Sequence, residues 1–156
     1  MMIDGAPAPA FISTLIPAAD DAADQQQGLL LTSDEHVVAL RKLVRTLALE
    51  IKLSLLDQTK LITAASELAR NTLKYGGGGL VQTAKLTNGA RPGIGLSFVD
   101  TGPGIADVEQ ALTDGFSTGG GLGLGLGGAR RLVDEFEILT KIGKGTTVTI
   151  IKWGHV

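Results

Sequence analysis

The sequence predicts an α+β fold: a two-layer sandwich in which a mostly antiparallel mixed sheet is covered on one face by helices. Three features carry that expectation. Two long segments of helical hydrophobic period stand next to each other between residues 34 and 74, two pairs of strand-like segments come later, and a stretch dominated by glycine separates those pairs. Helices and strands in separate runs, with no strand–helix–strand alternation, argue against a doubly wound parallel sheet. At 156 residues the chain suits one domain with a core of its own.

In chain order, residues 1–27 are rich in Ala, Pro, Asp and Gln without a sustained period, and read as a disordered extension ahead of a single domain over 28–156. Leu29 to Leu31 is a short apolar run suited to an edge strand, and Ser33 or Asp34 can cap the helix that follows. Val37, Leu40, Val44, Leu47 and Ile51 recur in steps of three and four, which makes one helix face over Asp34 to about Leu53. Asp57 is placed to cap a second helix reaching Lys74, with Leu61, Ile62, Ala65, Leu68, Ala69 and Leu73 as its apolar side, and the glycines at 76–79 end it. Leu80 to Thr87 and Ile94 to Val99 read as a hairpin about Asn88 to Gly93. A short helix is expected near Asp107 to Leu112 and another over Ala129 to Asp134. A second hairpin joins Phe136–Ile142 to Thr146–Trp153.

Composition narrows the function classes. Hydrophobic residues make up 44% of the chain and charged residues 19%, a globular balance. A net charge of −2 gives no electrostatic footprint for nucleic acid or an anionic membrane surface. The absence of cysteine removes disulfides, thiolate metal sites and a thiol nucleophile, so the expected location is the cytoplasm. The first residues carry Asp4 and three early prolines where a leader would be basic and then apolar, and no run is long enough to span a bilayer. His36 and His155 are read as surface residues and Trp153 as a strand packing residue.

Three places can hold chemistry. Glu67 and Asn71 are four residues apart on the second helix and share a face, where an amide oxygen suits Mg²⁺ and a carboxylate can order water or accept a hydroxyl proton; a solvated polar face has the same pattern. Asp100 ends an apolar strand and opens Asp-Thr-Gly-Pro-Gly. There the carboxylate can accept from an exocyclic amine such as that of adenine, and Gly102 and Gly104 let backbone approach a flat ring; a turn with Asp100 capping backbone N–H groups is the alternative. The stretch Ser117 to Gly128, STGGGLGLGLGG, runs into a helix and suits a phosphate cradle of backbone amides; Leu122, Leu124 and Leu126 alternate in a way that a solvated linker does not require.

Taken in order, these sites resemble the ATPase/kinase superfamily of gyrase, heat-shock chaperone, histidine kinase and mismatch-repair proteins, whose nucleotide-binding unit is the Bergerat fold. SELARN with Glu67 and Asn71 is similar to its N box, DTGPG with Asp100, Gly102 and Gly104 to its first glycine box, GLGLGLG at 121–127 to its second, and GKGT ending in Thr146 to its last. The resemblance runs from about Leu29 to Trp153. Within the superfamily SELARN, DTGPGI, DGFSTGGGLGLGL and RRLVDEF resemble the RsbT-type anti-sigma-factor serine/threonine switch kinases most.

That resemblance implies ATP and Mg²⁺ as cofactors. It implies adenine held by Asp100 and Thr146, Mg²⁺ by Asn71, and phosphates by Gly119, Gly120, Gly121, Leu122, Gly123, Leu124 and Gly125, with Glu67 as the base. It implies a STAS-domain antagonist protein as substrate, and a phosphatase or another effector as a further partner. A sigma-sequestering kinase of the same fold, an ATP-gated binding module without transfer, and a histidine-kinase fragment stand as alternatives, the last ranking lowest.

Overall fold

The computed structural model describes residues 2–4, 26–113 and 125–155. Among them the strands are β1 (Met2–Asp4), β2 (Gln26–Leu31), β3 (Gly79–Asn88), β4 (Arg91–Asp100), β5 (Glu135–Lys141) and β6 (Gly145–Trp153). They form one sheet in the spatial order β1-β5-β6-β4-β3-β2. Every neighbouring pair is antiparallel except β1 with β5, which run parallel. The helices are α1 (Asp34–Glu50), α2 (Leu55–Lys74), α3 (Val108–Ala111) and α4 (Gly125–Arg131). The expected α+β sandwich with a mixed, mostly antiparallel sheet is the fold observed.

Alternation along the strands builds the core. In register across the sheet stand Val81, Phe98, Val148 and Ile138, and beside them Thr83, Leu96, Ile150 and Phe136. The apolar members of these rows join Val37, Leu40 and Val44 of α1 and Leu61, Ala65 and Leu68 of α2 in one cluster. Helix α2 is buried almost all round over residues 61–69, because the sheet, α1 and α4 each pack on it. Among the described residues Phe98 is the largest fully buried side chain, and truncating it to Ala would cost about 3–5 kcal/mol. On the other face of the sheet Ala84, Leu86, Ile151 and Trp153 form a smaller cluster, with Trp153 packed against Gly93 and the Arg91 guanidinium 5.1 Å from the ring centroid.

The element ends differ from the sequence reading in ways local chemistry explains. Ser54, not Asp57, caps α2: its hydroxyl accepts the Asp57 N–H at 3.1 Å, leaving the Asp57 carboxylate in the first turn. Helix α1 stops at Glu50 because Lys52 turns left-handed (φ +60°), with Leu53 N–H donating to Ala48 O at 2.9 Å and Lys52 N–H to Leu49 O at 3.1 Å. The first hairpin closes on two residues, Gly89 and Ala90, so Pro92 and Gly93 belong to β4 and not to the turn. Helix α4 begins at Gly125, four residues before the expected Ala129. Met2–Asp4 pairs with β5 and Gln26 already belongs to β2, although the sequence reading puts all of 1–27 in the extension. The rest of that extension lies outside the described residues.

Candidate functional site

At one end of the sheet the helix-facing row turns polar, where Gly79, Asp100, Thr146 and Thr140 stand side by side in register. The end of α2 brings Asn71, Thr72 and Tyr75 over the same edge, and between them lies a cavity of about 320 Å³. Its apolar lining comes from Leu68, Phe98, Ile105, Leu126 and Val148, and its polar groups include Asn71, Asp100 and Thr146. A mostly apolar slot of this size with a few convergent polar groups suits a small flat ligand.

Among the described residues Asp100 is the only carboxylate on the cavity wall. Its Oδ1 accepts the N–H of Gly102 at 2.9 Å and that of Thr146 at 3.3 Å, which fixes the carboxylate and leaves Oδ2 without a partner among the described residues. The turn reading of Asp100 is thus observed at one oxygen, and the other is left able to accept. Gly76 lies against this carboxylate so closely that a Cβ there would collide with it. Gly104, at φ +80°, lets the 101–105 segment lie on the β5–β6 hairpin, where a side chain would strike Lys141 O. That contact is held by Gly143 N–H donating to Pro103 O at 2.8 Å and Ile105 N–H donating to Thr140 Oγ1 at 2.9 Å.

The site residues expected from sequence separate into three groups. Asn71, Asp100, Gly104, Gly125 and Thr146 line the cavity, and Gly102 is bonded to Asp100. Glu67 sits one turn before Asn71 on α2; it is 3% exposed, its Oε1 lies 3.3 Å from Arg70 Nη1, and it is not part of the cavity wall. Gly119, Gly120, Gly121, Leu122, Gly123 and Leu124 lie outside the described residues. The stretch they belong to leads into Gly125 (φ +59°), which, with Leu126, reaches the cavity, and α4 packs on α2. No cluster of three or more His, Cys, Asp or Glu able to hold a metal occurs among the described residues, so a divalent ion here would need ligands from elsewhere besides Asn71. Sequence reasoning missed Gly76, read only as part of a helix stop, and Thr140 and Tyr75, which carry no local signal; Ile105 enters it only as the end of DTGPGI.

A family model described as histidine kinase-, DNA gyrase B-, and HSP90-like ATPase matches residues 56–153. The chain is 39% identical over 130 residues to the serine/threonine-protein kinase RsbT of Bacillus subtilis (strain 168), covering 83% of this chain and 98% of that one. It also resembles a crystal structure of the RsbU and RsbW domains of a Mycobacterium tuberculosis protein, with a TM-score of 0.58 at 20% identity over 84% of this chain. This chain spans 33% of that solved chain, and at such identity the likeness is one of fold. No helix among the described residues is long and apolar enough to cross a membrane.

Proposed function

The chain belongs to the family of histidine kinase-, DNA gyrase B- and HSP90-like ATPases, and from that premise we propose that it is a Mg²⁺- and ATP-dependent protein serine/threonine kinase of a partner-switching pathway. The observation that carries the reading is the Asp100 carboxylate, anchored through Oδ1 and open at Oδ2, at the rim of an apolar slot. Oδ2 accepts the exocyclic amine of adenine while Phe98, Ile105 and Val148 cover the ring faces. Asn71 would hold Mg²⁺ together with the nucleotide's phosphates, and an amide oxygen fits that ion as a hard neutral donor. Bound there, Mg²⁺ supplies charge neutralisation on the phosphates. In this reading backbone amides of Gly119 to Gly125 would complete the phosphate cradle.

Glu67 takes the proton from the incoming hydroxyl, and its pairing with Arg70 orients the carboxylate. Catalysis of this type is positioning and charge stabilisation. The similarity to a curated serine/threonine kinase over nearly the whole of that protein supports transfer over passive binding. The substrate in this reading is a cytoplasmic STAS-domain antagonist, and its modification frees the kinase for a phosphatase or another effector.

The test is transfer of γ-labelled phosphate from ATP into proteins of the native lysate. An acid-stable, alkali-labile label on a small protein is expected. An acid-labile label would point to histidine chemistry, and absence of label to an ATP-gated binding module. Recovery of a sigma factor with the purified chain would instead favour the sequestering kinase.

A further inference from the structure

Thr140 belongs to none of the sequence motifs, forms no part of the cavity wall and is 3% exposed, yet its hydroxyl joins three segments around the cavity. Its Oγ1 accepts the N–H of Ile105 at 2.9 Å, lies 2.9 Å from Thr146 Oγ1 and 3.3 Å from the carbonyl oxygen of Gly145. A threonine hydroxyl has one hydrogen and two lone pairs. One assignment satisfies all three contacts: Thr140 donates to Gly145 O and accepts from both the Ile105 N–H and the Thr146 hydroxyl. The hydrogen of Thr146 is then turned away from the cavity and its remaining lone pairs face inward.

We infer that Thr140 is a positioning residue that fixes the polarity of the Thr146 hydroxyl and thereby sets which purine edge the cavity accepts. The inference rests on the reading of this cavity as the nucleotide site. With Thr146 held as an acceptor on the same wall as Asp100, that part of the wall offers two acceptors, while the amide of Asn71 stands on the helix side. A purine 6-amino group placed against that pair donates to it, whereas a 6-carbonyl in the same place meets lone pairs. Without the Thr140 hydroxyl, Thr146 is free to rotate and donate outward, so the carbonyl edge is tolerated. A polar site left with the wrong partner discriminates strongly, which is why the effect should appear in selectivity.

The experiment measures binding of ATP and of inosine triphosphate, which carries a carbonyl where ATP carries the amine, to the whole chain and its variants. Thr140→Val is expected to weaken ATP by about tenfold and to reduce the ATP-to-inosine-triphosphate ratio by about tenfold, while Thr140→Ser restores both. A merely structural role would weaken both nucleotides alike and leave the ratio unchanged, and that result would overturn the inference. If Thr140→Val does not fold, Thr146→Val removes the other hydroxyl of the pair and leaves the bonds of Thr140 to Ile105 and Gly145. It should lower the ratio as well, and an unchanged ratio there counts against the inference. A wild-type chain that binds no ATP would remove the nucleotide reading itself, and this inference with it. Selective wild-type binding with a variant that keeps the ratio removes the inference alone.

Discussion

The two ends of the same sheet handle buried polar groups in opposite ways. At the end away from the cavity Lys152 is a largely buried cation, 3.5 Å from both Asp57 and Asp134, and the second oxygen of Asp134 accepts the Trp153 N–H at 2.7 Å. The indole N–H of Trp153 in turn donates to Glu135. At the cavity end Asp100 is anchored by two N–H groups on one oxygen, and the other has no partner among the described residues. A charge whose partners all come from the fold is structure. A charge held rigid with spare acceptor capacity is a candidate site, because it can still take a partner.

That contrast can be broken from either side. Lys152→Met leaves Asp57 and Asp134 without their cation, and it should lower unfolding stability by about 3 kcal/mol in urea while the folded variant binds ATP within about twofold of wild type. A large loss of affinity without loss of stability would mean that the two ends are coupled. Asp100→Asn keeps an oxygen for Gly102 and Thr146 but turns an amide N–H₂ toward the ligand amine. It should weaken ATP about 100-fold in a titration, with little change in melting temperature. Gly76→Ala pushes a methyl group into the Asp100 carboxylate, and roughly tenfold weaker ATP binding is expected from that displacement.

The smallest effect belongs to Glu137 on the face of the sheet away from the main core. It is buried, with Oε2 unpartnered among the described residues, and burial holds its carboxyl above the usual carboxylate range. The folded state therefore keeps this proton to higher pH than the unfolded chain does. Its contribution is fully present below the unfolded value and is lost as pH rises through the raised one. Glu137→Gln should be more stable than wild type above that window and equal to it below, with ATP affinity unchanged. A variant less stable than wild type above that window would contradict the sign.

Much of this was legible in the sequence, for a physical reason. The faces of α1 and α2 follow from a 3.6-residue period that a single chain displays, and Asp-x-Gly-x-Gly announces a strand end with close backbone approach. What escaped depends on contacts between distant segments. Gly76 is needed because Asp100 lies across from it, and Thr140 matters only because register sets it beside Thr146. Helix α4 starts at Gly125 although glycine is among the poorest helix formers, since the buried face over residues 125–129 packs against α2 and overrides local preference. The pairing of Met2–Asp4 with β5 joins segments more than 130 residues apart, beyond any local pattern.

Phosphoryl transfer with Glu67 as the base is tested most directly by the rate of γ-phosphate transfer by Glu67→Ala at saturating Mg·ATP. The variant should still bind Mg·ATP, because Glu67 does not form the cavity wall, and its transfer should fall by at least about 100-fold. Transfer at the wild-type rate would contradict it.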